Sequence, residues 1–359
     1  MTRTFTSAVA EPAARGYEFG AVHAREVATT VAAYRRLFAG AYAADVDLGS
    51  MGVIALARID AWAPELGEEI RGIASGAGIP VEHVAAINAR TEIIAMLRRD
   101  LPVPVQECSA VVAVPPSGGV AVAAQNWDWY TEFADNWLEW TIPHADGRRV
   151  STLTEYGIVG KIGVNDAGLG VLFTMLHHRD DGHDIGVPVH VVARRVLDQA
   201  RAVGEGRAIC ASATPSASTS VTMVAGGEAV SVELWPGGPG FAGPDAHGVL
   251  VRTNHFLTDP ARDGDEVPAE APGTLTRYDT LRRILSGAAS PATGRDVTPD
   301  DVVAALCDHT GGVCSHPLAE EPADLRHGTL ATVVLDLAAG GLVTRVGPPC
   351  RGTVPAPVG

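Results

Sequence analysis

One break in pattern constrains this chain more than any other feature. Ahead of residue 100 the apolar residues recur at helical spacing; beyond residue 108 they come in short runs cut by glycine. Val27, Val31, Tyr34, Leu37 and Phe38 predict an amphipathic helix over 22–38. Further helices are expected over 53–76, with Gly76 and Gly78 as stop signals, and over 81–98. Residues 1–16, polar and alanine-rich, read as a loose tail. The stretch DLPVPVQ at 100–106 carries two prolines, which remove backbone donors and force an extended connection.

After that connection the pattern is sheet. Apolar runs at 110–114 and 120–124 flank Pro115-Pro116-Ser117-Gly118-Gly119, which predicts a hairpin. Its return strand runs into Gln125-Asn126-Trp127-Asp128 and brings Asp128 back towards Cys108. Strands are expected at 138–143 and 151–154, around an Asn165–Gly168 turn, at 219–225, 229–235 and 249–252, and in a last hairpin at 329–337 and 342–346. Helices are expected from Pro188, over 274–286, and over 298–306 with Thr298 as cap and Pro299 first. Two groups of strands with helices between them point to a layered α+β fold, helices outside two stacked sheets.

Composition bears on partners. A net charge of −15 without a basic run disfavours nucleic acid and anionic membrane surfaces. No stretch approaches the roughly 18 apolar residues of a membrane span, and the N-terminus lacks a signal-peptide core. Five cysteines, at 108, 210, 307, 314 and 350, form no CxxC pair. That count argues against a disulfide scaffold or a zinc knuckle and favours a reducing cytoplasm. The four besides Cys108 read as small buried hydrophobes. His177, His178 and His183 with Asp180, Asp181 and Asp184 resemble a crude metal cluster, but their spacing fits no zinc pattern, so no metal is expected.

Cys108 stands at the start of a strand behind a proline-bounded loop. A thiolate is the reactive form, so something must take the thiol proton. A histidine distant in sequence is one activator. The other is the chain's own amine: cutting the Glu107–Cys108 bond gives Cys108 an α-amino group titrating at about 7.7–8.0. The same thiol can make that cut by attacking the Glu107 carbonyl.

The chain resembles the acyl-CoA:isopenicillin N acyltransferase family of cysteine N-terminal-nucleophile (Ntn) hydrolases, to which the insect β-alanyl-dopamine hydrolases belong. The runs that carry the likeness are EEIRGIASGAG at 68–78, INARTEI at 87–93, Cys108, QNWDWY at 125–130, TEYGIVGKIGVNDAGLGV at 154–171, GVPVHVVARRVL at 186–197, RTNH at 252–255 and HGTLATVVLD at 327–336. The resemblance implies a four-layer αββα Ntn-hydrolase fold and self-cleavage before Cys108. The products would be a helical chain, 1–107, retained on a catalytic chain, 108–359. It assigns the nucleophile to Cys108, the holder of the new amine to Asp128, an oxyanion donor to Asn254 and a further catalytic group to Arg326. The family's best-known member has glycine before the nucleophile; Glu107 stands there here. Alternation places Trp127 and Trp129 on one strand face, where with Tyr130 they can line an acyl pocket.

The expected function is amide hydrolysis or acyl transfer through a Cys108 thioester on a small N-acyl amine or N-acyl amino acid derivative. No cofactor is expected. Acyl-CoA as co-substrate is an alternative, with Arg194, Arg195, Arg282 and Arg283 as candidate phosphate contacts. A non-catalytic, unprocessed binding protein on the same scaffold is a second alternative, and a zinc hydrolase using the His177–His183 loop a third. A homo-oligomer is compatible with all of them.

Overall fold

The computed structural model describes residues 2–42, 44–99, 108–289 and 295–351. Its first part holds β1 (Thr4–Thr6), α1 (Pro12–Val22), α2 (Ala24–Ala41), α3 (Leu48–Trp62), α4 (Pro64–Ala77), α5 (Val81–Asn88) and α6 (Arg90–Arg98). Then come β2 (Ser109–Ala113), β3 (Val122–Tyr130), β4 (Trp137–Pro143), β5 (Arg149–Glu155), β6 (Ile162–Asn165) and β7 (Gly170–Met175). Helices α7 (Val189–Gln199) and α8 (Val203–Ala211) lead to β8 (Thr219–Ala225), β9 (Glu228–Leu234), β10 (Gly240–Ala242) and β11 (Val249–Arg252). The last elements are α9 (Val267–Glu270), α10 (Gly273–Ala288), α11 (Pro299–Leu306), β12 (His327–Asp336) and β13 (Gly341–Val346).

The strands form two sheets, β1-β4-β5-β6-β7-β8-β9-β10 and β11-β2-β3-β12-β13, antiparallel throughout except for β1 against β4. They stack, with β2 and β3 on β7 and with β12 and β13 on β6. Helices α7 and α8 cover the eight-stranded sheet; α10 and α11 cover the five-stranded one. The result is the four-layer αββα order. Burial on both faces explains why 110–114 reads as an unbroken apolar run. Ala110 and Val112 enter the main core, while Val111 and Ala113 enter a second core with Leu281, Leu285 and Val302 under α10 and α11.

The helical part departs from expectation in three places. Residues 1–16 are no loose tail: β1 adds an edge strand beside β4, and the Glu11 side chain caps α1 by accepting from the amides of Ala13 and Ala14. The helix expected over 53–76 is two, because Pro64 has no amide to continue α3 and instead opens α4. The helix expected over 81–98 is also broken, at Ala89. Gly78 does end α4, in the left-handed conformation. Gly76 does not: it lies inside α4, where α1 and α4 pack through glycines. A Cβ at Gly16 or Gly20 would lie 2.1 Å from a backbone oxygen of α4, and one at Gly72 or Gly76 would lie 2.2 Å from one of α1. The capped start of α11 is as expected, with Thr298 and Asp301 forming a reciprocal capping box.

Candidate active site

The strand that follows Cys108 is placed by its neighbours. Ser109 pairs with Asn126 across the hairpin, so the side chains of Cys108, Trp127 and Trp129 lie on the face turned to the eight-stranded sheet. Gln125 ties the two sheets there: its amide donates to the Phe173 carbonyl at 2.6 Å and accepts from the Phe173 amide at 2.9 Å. On the opposite face, Asn126 donates to the Leu306 and Val313 carbonyls at 3.0 and 3.1 Å, anchoring the end of α11 and the loop after it.

A narrow recess opens beside Cys108. Its wall is Arg90, Cys108, Trp127, Trp129, Lys161, Phe173, Met175 and Asn254. The floor is aromatic and apolar, and two cations stand on it: the Lys161 ammonium 3.9 Å from the Trp127 ring centre, and the Arg90 guanidinium 4.0 Å from that of Trp129. Both cations pair with fully buried Glu155, which also accepts from the Tyr34 hydroxyl. Burial works against the Glu155 charge, but Arg90 and Lys161 more than offset it and hold its carboxyl below the usual range. Burial lowers the Lys161 ammonium to about 8.

The Cys108 thiol donates to the Asp128 carbonyl oxygen at 3.6 Å. Burial, then the Asp128 charge, pushes the thiol up to about 11. Among the described residues no histidine lines this recess; His190 stands one layer behind, stacked on Phe173. Burial drives His190 well below the usual histidine range, so it is a neutral core ring.

Asn254 follows β11 at the recess edge. Its amide donates to the Met175 carbonyl at 2.9 Å, and its Oδ1 accepts from the Arg277 guanidinium at 3.0 Å. Arg277, on α10 and fully buried, also donates to the Cys108 carbonyl at 2.6 Å and to Ser109 Oγ at 3.0 Å. One guanidinium thus fixes the backbone of Cys108 and the amide of Asn254. Sequence reading assigned Arg277 no role, and its buried position between α10 and β2 carries no local sequence signal. Arg90 and Lys161 fall inside quoted runs, INARTEI and TEYGIVGKIG, but received no role either.

The structure therefore brings together Cys108, Asn254, Trp127 and Trp129 on the recess wall, while Asp128 meets the Cys108 thiol through its main-chain carbonyl. Arg326 stands apart, its guanidinium donating to the Glu321 and Ala319 carbonyls in its own loop. Tyr130 is not on the recess wall but packs edge-on against Trp129, 5.4 Å between ring centres. Glu107 lies outside the described residues. The candidate phosphate contacts are elsewhere: Arg194 is buried on Glu69 and Asp198, Arg195 lies over Trp62, Arg282 faces Asp245, and Arg283 is exposed on α10. The three histidines of 177–183 do not converge. His177 meets Glu266 and Glu270, His178 meets Asp180, and His183 meets Arg99. Among the described residues no helix is long and apolar enough to cross a membrane.

A model of the family described as acyl-coenzyme A:6-aminopenicillanic acid acyl-transferase matches residues 115–350, beginning just past Cys108. The chain is 30% identical over 226 residues to the acyl-coenzyme A:6-aminopenicillanic-acid-acyltransferase 40 kDa form of Emericella nidulans; the match covers 62% of this chain and 60% of that protein. The chain thus spans less than two thirds of that relative. Among solved structures, a Caenorhabditis elegans N-acylethanolamine-hydrolyzing acid amidase ortholog matches at 15% identity and TM-score 0.44, over 64% of this chain and 93% of that one. A mutant conjugated bile acid hydrolase from Clostridium perfringens matches at 13% identity and TM-score 0.46, over 66% and 89%. With the family model spanning more than half of its length, this chain belongs to the acyl-coenzyme A:6-aminopenicillanic acid acyl-transferase family.

Proposed function

We infer that the protein breaks or exchanges the C–N bond of small N-acyl amines or N-acyl amino acid derivatives through a thioester on Cys108. Cleavage between Glu107 and Cys108 makes it competent, leaving residues 1–107 as a retained helical chain. The observation that carries this reading is the Cys108 thiol beside an aromatic recess whose edge holds an oriented carboxamide, Asn254. In the uncut chain a thiol titrating at about 11 is protonated at neutral pH, and no histidine on the recess wall can take that proton. A free α-amine on Cys108 supplies the missing base.

Sulfur attacks the Glu107 carbonyl, the peptide nitrogen leaves as the Cys108 amine, and water cleaves the resulting thioester. In turnover the amine takes the thiol proton and sulfur attacks the substrate carbonyl. The leaving amine receives that proton, and the acyl group passes from sulfur to water or to a second amine. The Asn254 amide, which has a second N–H besides the one on Met175, donates to the oxyanion; such a donor is typically worth about 2.7–4 kcal/mol. Asp128 holds the α-ammonium between turnovers. The aromatic floor favours an apolar or aromatic acyl group. Hydrolysis is the reading preferred over acyl-CoA-dependent transfer, because none of the four arginines considered for a CoA phosphate lines the recess.

The test is intact-mass analysis of wild type and Cys108→Ala, with an amide screen on both. Wild type should separate into masses for 1–107 and 108–359, and Cys108→Ala should stay whole and inactive. A whole wild-type chain without turnover would favour the binding-protein reading; a whole chain with turnover would refute the amine mechanism.

A further inference from the structure

Four side chains outside the recess converge at the loop that packs on the other side of the five-stranded sheet. They are His309, Cys314 and His316, in the loop after α11, and Cys350, in the single helical turn Pro349–Arg351 that follows β13. One donor atom from each lies within 4.8 Å of the other three. His316 Nε2 is 3.2 Å from His309 Nε2, 3.5 Å from Cys314 Sγ and 3.3 Å from Cys350 Sγ. A single ring nitrogen has one lone pair or one proton, so hydrogen bonding cannot satisfy three partners at once. A shared cation can.

We propose that His309, Cys314, His316 and Cys350 form a structural zinc site. The three spacings from His316 match a tetrahedral ion: bond lengths of about 2.3 Å to sulfur and 2.0–2.1 Å to nitrogen put neighbouring ligands about 3.3 Å apart for N–N and about 3.6 Å for S–N. Two thiolates and two neutral imidazoles cancel the ion's double charge, and binding forms two Zn–S bonds while releasing two thiol protons. Four protein ligands leave no open position, which marks a structural rather than a hydrolytic metal. Of the cysteines expected to be small buried hydrophobes, Cys210 and Cys314 are buried. Cys350 is exposed and Cys307 only half-buried; three of the four proposed ligands share one loop, and Cys350 joins them from the far end of the last hairpin.

The site has a structural consequence. Val313 O accepts from Asn126, and Ser315 O accepts from the Thr329 amide at the start of β12. Zinc would thus clip the C-terminal turn onto the loop that backs the strand carrying Asp128. This proposal does not depend on the reaction proposed above.

The test uses the full chain, any affinity tag removed, purified with reductant and loaded with zinc or cobalt. Wild type should retain about one zinc per chain. With cobalt it should show thiolate-to-cobalt charge-transfer absorption and the strong d–d bands of a tetrahedral site. Cys314→Ser, His316→Ala and Cys350→Ser should each lose the metal, and Cys307→Ser and Cys210→Ala should keep it. Chelation should lower the Tm of wild type and leave that of Cys350→Ser unchanged. The proposal is overturned if wild type binds neither metal, if the Cys314→Ser/Cys350→Ser double variant retains it, or if Cys307→Ser loses it. Because wild type alone gives the cobalt spectrum, a variant that fails to fold does not rescue the idea.

Discussion

Replacing Arg277 by lysine isolates what the guanidinium does. The fork now reaches three acceptors: the Cys108 carbonyl at 2.6 Å, Ser109 Oγ at 3.0 Å and Asn254 Oδ1 at 3.0 Å. Lysine offers a single ammonium on a differently shaped stem and cannot span the nucleophile and the amide together. It keeps the charge and the contacts beside Cys108 and drops Asn254. The bond lost is charge-assisted, worth about 1.5–3 kcal/mol. The Asn254 side chain is then held through Met175 alone, and its amide can turn away from the oxyanion. Full loss of the donor would cost about 10²–10³ in rate; partial loss sets the expectation at roughly 10–10²-fold in kcat, with KM little changed. The release of nitrophenolate from an activated ester reports acylation of Cys108 without knowledge of the natural amine. Arg277→Lys should slow this burst by that factor while remaining folded by circular dichroism. A variant that acylates at the wild-type rate would show that Asn254 needs no such support, and the assigned geometry would be wrong.

Other outcomes follow from the same structure. Asp128→Asn should impair the appearance of the two chains in intact mass; normal maturation and turnover would remove its carboxylate from the mechanism. Burial raises the Glu92 carboxyl to about 7, while one oxygen accepts from the Val189 amide at 2.8 Å. A folded-state value above the unfolded one means stability is full below about 4.5 and is lost as pH rises through 7. Glu92→Gln should therefore raise stability by roughly 2–3 kcal/mol at pH 8 and by little at pH 5, read from urea midpoints. Gly72→Ala puts a methyl 2.2 Å from the Ala13 carbonyl; overpacking of about 2–3 kcal/mol should lower Tm on the order of 5 °C. An unchanged Tm would show that α1 and α4 can part freely.

The sequence made most elements of the sandwich legible because strands and helices there announce themselves locally. Gly-rich turns mark the hairpins, and Thr298-Pro299 marks the start of α11. The apolar run 110–114 could not reveal which of its faces meets which core, since both are covered. Continuous periodicity hid the breaks at Pro64 and Ala89, because apolar spacing persists across them. On the candidate recess, the closeness of Cys108 to the tryptophans was readable from one hairpin. Arg277, 169 positions away from Cys108, acts only through tertiary contact. Arg326 shows the opposite failure: a resemblance assigned it a role, yet its side chain closes its own loop. The four-ligand cluster escaped for the same reason as Arg277, since no local spacing unites His309 with Cys350.

The charges shared between the helical part and the sandwich decide what a break before Cys108 would leave behind. Glu69, on α4, is fully enclosed between Arg15 of α1 and Arg194 of α7. Arg90 of α6 and Lys161 of the sandwich likewise enclose Glu155. Pulling the two pieces apart would strip each carboxylate of one of its two counter-ions, Arg194 from Glu69 and Arg90 from Glu155, and β1 would also have to peel from β4. A severed backbone would therefore release no fragment. The pieces should travel together through gel filtration and part only in denaturant, and residues 1–107 supplied as a separate polypeptide should reassemble with the remainder.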